Sequence, residues 1–254
     1  MTVPRAFALL LFATAPAWGL ALFGGDFAIN QAPPKDGAPW AHVVQMGTSE
    51  ATGVYIEKRF VLTANHINLL SPVLINGVSY QRDTAFAPRQ LGGDDLKLIR
   101  VVGTPPLAKL PLIGPNDVEY SRRCTVIAWG DGTGAALAGR GWTRNNIRVK
   151  RWGHNTLLPR LYPGPDGERL ITAFNTGFGR NECSLLLGDS GGALFVKFGS
   201  LWRLVGLAVD ADNINDALYD RDPSTDGNQP DRDYYVPIKK HRAEIRQVIN
   251  AAAP

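Results

Sequence analysis

The run Gly188-Asp189-Ser190-Gly191-Gly192 sets a serine among residues too small to block an approaching substrate. A carbonyl carbon could then reach the Ser190 hydroxyl while its oxygen meets neighbouring backbone N–H groups, which is the geometry acyl transfer requires. A glycine-rich turn with a capping Asp-Ser pair is the plainer alternative. A nucleophilic serine needs a base, and the base needs an acid to orient it. Of the four histidines, His42 and His154 lie among apolar or basic neighbours, and His241 falls in the terminal segment, where a solvated or capping role is expected. His66 differs: it follows the β-like run 59–63 and Ala64-Asn65, a strand-to-turn junction that would hold an imidazole rigidly. Asp95 opens the apolar run 95–101 and could accept from that imidazole while its neighbours exclude water. The adjacent Asp94 leaves the register between two acids to be decided.

The elements that must position these groups read as short strands. β-like runs occur at 42–46, 53–56, 59–63, 72–75, 96–102, 125–129, 147–150, 170–173, 193–197 and 201–209, separated by turn residues, with no β-α-β alternation. An all-β barrel or sandwich follows. Between 103 and 117 four prolines favour an extended crossing segment that cannot donate to a ladder, dividing the chain into two parts. At 239–251 Ile245, Val248 and Ile249 share one face, predicting an amphipathic helix docked on the body. Residues 210–233 hold eight aspartates and two basic residues. Hard oxygen ligands for Ca²⁺ could come from such a stretch, but the twelve-residue EF-hand spacing is absent and a solvated loop is expected.

Composition narrows the classes further. The 254 residues carry 27 basic and 23 acidic side chains, a net charge of +4, without the basic clusters of a nucleic-acid binder. One basic residue, Arg5, precedes an apolar stretch at 6–13, then Ala15, Ala17, Gly19 and Ala21. This predicts a secretory signal peptide over 1–21, cut after Ala17 or Ala21, too short to span a bilayer. A buried helix is the alternative, weakened by Pro4 and Pro16. In an exported chain the two cysteines, Cys124 and Cys183, are expected to pair, with two separate buried thiols as the alternative. No His/Cys spacing suggests zinc, and neither a metal nor a cofactor is expected.

Taken in order, these residues resemble the trypsin/chymotrypsin-like serine proteases over nearly all of the chain after residue 21. Leu62-Thr63-Ala64-Asn65-His66 is similar to the family's Leu-Thr-Ala-Ala-His, Asp95 to the aspartate opening its Asp-Ile-x-Leu-Leu strand, and Gly188–Gly192 to its Gly-Asp-Ser-Gly-Gly. Cys124 followed by Ala128-Trp129-Gly130, and Trp202 to Gly206, resemble its Cys…Gly-Trp-Gly and Trp-x-Leu-Val-Gly. The resemblance implies an all-β, chymotrypsin-like fold of two six-stranded antiparallel β-barrels with a C-terminal α-helix: a first barrel over about 22–110, a second over about 117–238, and the helix at 239–251. It implies a His66–Asp95–Ser190 triad and an oxyanion hole at the N–H groups of Gly188 and Ser190. Leu22-Phe23-Gly24-Gly25 resembles the family's freed Ile-Val-Gly-Gly terminus, so the Leu22 ammonium would pair with Asp189. The family's specificity position, six before the nucleophile, is Ser184 here. Val209-Asp210-Ala211 replaces the Ser-Trp-Gly wall, and Asp233 could supply acid from the opposite side. The implied partners are a polypeptide substrate and a protein inhibitor. A monomer, secreted or periplasmic and without stable membrane association or nucleic acid, is expected.

Two other classes fit part of the pattern. Gly188-x-Ser190-x-Gly192 satisfies the α/β-hydrolase nucleophile elbow, with Asp210 or Asp216 and His241 completing a triad, but strand-like sequence after Ser190 opposes the helix an elbow needs. A binding protein on a protease fold would show a lost triad member, and all three are present.

Overall fold

A computed structural model describes residues 20–25, 28–47, 51–68, 70–164, 167–175, 177–225 and 227–252. The predicted signal segment therefore lies outside the described residues up to position 19, as does the cleavage point after Ala17. After β1 (Ala21–Leu22), the chain forms β2 (Val43–Met46), β3 (Ala51–Glu57), β4 (Phe60–Thr63), β5 (Val73–Ile75), β6 (Val78–Tyr80), β7 (Arg89–Gln90) and β8 (Lys97–Arg100). The last seven make one antiparallel sheet of order β6-β5-β2-β3-β4-β8-β7. Its central strands are apolar on both faces, because each face meets a core. Val54, Ile56, Phe60 and Leu62 pack into a cluster shared with the second half of the chain, while Tyr55, Val61 and Ile99 point to a separate one.

The second half runs through β9 (Arg123–Gly130), β10 (Thr133–Leu137), β11 (Gly141–Arg144), β12 (Val149–Thr156), β13 (Tyr162–Gly164), β14 (Gly167–Ala173), β15 (Cys183–Ser184), β16 (Ala193–Phe198), β17 (Leu201–Ala211), β18 (Asp216–Leu218) and β19 (Arg232–Pro237). Seven of these form the antiparallel sheet β12-β9-β16-β17-β19-β14-β13; β10, β11 and β18 form a smaller sheet, and β1 pairs with β15. Helix α1 (Ile238–Ala251) closes the described chain, burying Ile245 and Ile249 as the periodicity predicts. The fold is thus mostly β with one C-terminal helix, as expected of a chymotrypsin-like protein. Each main sheet holds seven strands rather than six, because short strands extend the edges.

The proline-rich segment laces the halves together. The Leu110 amide donates to Ile56 O on β3 at 2.8 Å, and Ile113 N and Pro111 O bond to Leu204 of β17 at 3.0 Å each. The anticipated disulfide is absent. Cys124 and Cys183 are buried free thiols: the Cys124 thiol donates to Asn155 O across the ladder, and Cys183 fills the space beside Gly153, where a Cβ would lie 2.3 Å from its own. Much of the acidic stretch is structured rather than solvated. Asp212 accepts from Arg232, Arg221 and the Tyr234 hydroxyl, and no group of three or more acidic, His or Cys side chains among the described residues could hold a metal ion.

Candidate active site

The antiparallel pairing of β4 and β8 brings base and acid together. Thr63 faces Lys97 in that ladder, so continuing the register two residues beyond it sets Asp95 across from the turn that carries His66. The Asp95 carboxylate takes two hydrogen bonds from this one residue, His66 N at 2.8 Å and the Nδ1–H of the ring at 2.6 Å. Fixing both backbone and ring leaves Nε2 as the acceptor on the side away from the acid. Burial opposes the charged form of Asp95, but the side-chain and backbone hydrogen bonds from His66 outweigh it and hold the carboxyl below its ordinary value. His66 itself is open to solvent, its side chain 46 % exposed.

The neighbouring acid serves another purpose. Asp94 is buried, and its Oδ2 accepts from His241 Nε2 at 2.7 Å and Lys240 Nζ at 2.9 Å of α1, with Arg169 3.7 Å from Oδ1. Burial raises the Asp94 carboxyl, yet the Lys240 and His241 hydrogen bonds bring it below its ordinary value. His241, expected in solvent, is therefore buried, because the helix docks against the loop that bears Asp95.

Lys97 was not anticipated. Only 6 % exposed, its ammonium donates to Asn65 O at 2.9 Å and to Ile67 O, the carbonyls on either side of His66. Burial lowers its affinity for the proton and the nearby Asp95 opposes that. Only the β4–β8 register shows that it reaches under the turn.

Ser190 is held from the other half of the chain. Gly191 adopts φ +85°, and a side chain there would lie 1.9 Å from Thr52 O, so only glycine lets this loop press against β3. The contact is hydrogen-bonded: Thr52 N donates to Ser190 O at 2.9 Å, the Thr52 hydroxyl donates to Gly188 O at 3.3 Å, and that hydroxyl accepts from Trp129 N at 2.7 Å. A buried threonine thus clasps the serine loop to the first sheet, and no spacing rule pointed to it.

Ser190, Gly188 and His66 line one cavity of about 290 Å³. Among the described residues no hydrogen bond joins the Ser190 hydroxyl to His66, and the N–H groups of Gly188 and Ser190 are not spent on other partners. Val209, Asp210 and Ala211 line the same cavity. Ser184 and Asp233 do not: both are fully buried, and Asp233 accepts from Ser184 Oγ at 2.8 Å, Leu185 N at 2.9 Å and Thr172 Oγ1 at 3.0 Å. Burial lifts the Asp233 carboxyl to about 7 despite those three donors. A second hollow of about 470 Å³ continues from His66 and Asp95 past Gln90, Arg169 and Asp210.

Asp189 occupies a tight site. A Cβ on Gly130 would lie 2.2 Å from its Oδ1, so that glycine is required. Asp189 Oδ2 accepts from Leu186 N at 2.7 Å, whereas Oδ1 has no donor among the described residues, and burial pushes the carboxyl well above its ordinary value. Leu22 does not supply the expected partner in the intact chain. It sits within β1 paired with Cys183, and its amide donates to Thr133 Oγ1 at 3.0 Å.

Two antiparallel sheets thus bring His66, held by Asp95, and a glycine-flanked serine to one cavity. The Trypsin family profile matches residues 28–219, and the chain belongs to this family of trypsin-like serine proteases. No curated protein matches it. Among the described residues no helix is long and apolar enough to cross a membrane.

Proposed function

We propose that the chain is a secreted or periplasmic serine endopeptidase that cuts polypeptides through an acyl-enzyme. His66 Nε2 takes the Ser190 proton as the hydroxyl attacks the scissile carbonyl, and later returns it to the leaving amine. Asp95 holds the tautomer and offsets the charge that develops on the imidazole. The N–H groups of Gly188 and Ser190 receive the oxyanion. The observation that carries this reading is the double hydrogen bond of Asp95 to His66 at 2.8 and 2.6 Å, in a cleft shared with Ser190.

The unpaired Asp189 Oδ1 favours a freed amino terminus as its partner. Because the Leu22 amide is already satisfied, cleavage after Gly19 rather than Ala21 fits better. Leu20 is fully buried and bridges Gly132, two residues from the Gly130 that abuts Asp189. Gly19 follows Ala17 at the spacing of small residues that export cleavage favours.

Purified exported protein should degrade unfolded casein while its Ser190→Ala form does not, and sequencing of its terminus should begin at Leu20. Cleavage of simple esters without any peptide hydrolysis would make the protein an esterase instead. A start at Trp18 or Leu22 would refute the assigned terminus.

A further inference from the structure

We propose that the cavity beside Ser190 selects an uncharged, short aliphatic side chain on the acyl side of the scissile bond, with Leu185 as its floor. The inference rests on the endopeptidase reading and adds a substrate class to it. Apolar side chains make up most of the wall: Leu185, Leu186, Leu187, Val209, Ala211 and Ile214. The volume of about 290 Å³ includes the mouth at Ser190 and His66, which puts the cavity at the small end of ligand pockets and leaves room for one short chain.

The acid that could have made this pocket select a base is out of reach. Asp233 is fully buried and does not line the cavity, whereas Leu185, whose backbone N–H donates to it, does. Its carboxylate is occupied by Ser184 Oγ, Leu185 N and Thr172 Oγ1 at 2.8–3.0 Å. The hydrogen bond that the Leu185 N–H donates to Asp233 ties the floor to that acid. A lysine or arginine entering here would bury its charge against leucines with no partner. Asp210 remains as a lining acid, but it is exposed and already accepts from Ala211 N at 2.9 Å, and an exposed ion pair adds little. A glutamate would meet the same apolar wall and the Asp210 charge as well.

The Ser190→Ala protein tests this without requiring catalysis. Acetyl tetrapeptides identical except for a C-terminal Val, Leu, Lys or Glu would be titrated calorimetrically. The Val and Leu peptides should bind at least about tenfold more tightly than the Lys and Glu peptides, the discrimination expected of an apolar pocket. Adding Leu185→Gly, or Leu185→Ala should the glycine form not fold, should shrink the Leu-over-Lys ratio to about threefold or less by uncovering Asp233. Equal or tighter binding of the Lys peptide overturns the proposal, as does a Leu185 variant with an unchanged ranking. Hydrolysis is read separately on the Ser190 protein: the predicted ranking without peptide cleavage would refute the endopeptidase reading and keep the pocket, while cleavage without the ranking would refute the pocket alone.

Discussion

Lys97 offers a sharp test of how the proposed general base is held. Its ammonium makes two hydrogen bonds, to Asn65 O at 2.9 Å and to Ile67 O, that bracket His66. A hydrogen bond to a charged group contributes about 1.5–3 kcal/mol, so the pair contributes about 3–6 kcal/mol before costs. Replacing lysine by methionine also removes the several kcal/mol spent on desolvating a buried ammonium. The net loss should be about 1–3 kcal/mol, enough to loosen the turn without unfolding the sheet. A shift of the imidazole by even 1 Å from its productive place can cost about a hundredfold in rate. Lys97→Met should therefore lower kcat by about ten- to a hundredfold with KM little changed, and Lys97→Arg should recover part of it. Stability would be read by urea unfolding, and rates on an aryl ester and a peptide substrate. A Lys97→Met protein with kcat within about twofold of the parent, at equal stability, would refute the positioning argument.

Three further outcomes follow from the same geometry. Asp95→Asn should keep the fold but lower kcat by on the order of 10⁴, as in other His-Asp-Ser triads where the amide inverts the tautomer; a loss under about tenfold would show that Asp95 does not orient His66. Asp233, lifted to about 7 by burial, holds its proton more tightly in the folded than in the unfolded chain, so its contribution to stability falls as pH rises from about 4 to about 7. Asp233→Asn should remove that slope, gaining on the parent by up to about 4 kcal/mol between pH 4 and 8 in urea titrations; an unchanged slope would contradict the assignment. His241→Ala should cost about 2 kcal/mol in unfolding free energy by leaving the buried Asp94 with Lys240 as its one close hydrogen-bond donor, and a cost near zero would show that the helix is held elsewhere.

What the sequence disclosed depended on how local the cause was. The strands at 59–63, 193–197 and 201–209 could be read because short apolar runs and flanking turns are local signals. The serine loop and the strand-to-turn junction at His66 were legible for the same reason. β19 begins at the end of an acidic stretch that reads as loop, where Asp231 and Asp233 are buried and accept hydrogen bonds from Leu218 N and Leu185 N, contacts that no local pattern encodes. Thr52 and Lys97 were invisible as site residues, since their roles come from a sheet-to-sheet contact and a cross-strand register rather than a motif. That same register sets Asp95 against His66 and leaves Asp94 to His241. The absent disulfide has a comparable origin. An exported compartment, proposed above, and an even count favour pairing, but the Cys124 thiol is engaged by Asn155 O and Cys183 is packed against Gly153. Ser184 and Asp233 are hydrogen-bonded to each other, yet both are buried and neither lines the cavity, which Leu185 does.

The central claim is that His66, Asp95 and Ser190 act together to make the serine a nucleophile. Mixing the mature protein with an activated aryl ester should release a burst of phenol close to one equivalent per protein, and the trapped acyl group should map by mass spectrometry to the peptide containing Ser190. His66→Ala should abolish both the burst and the adduct. A burst with the acyl group on any other residue, or an adduct on Ser190 that persists at the same rate without His66, would contradict the account.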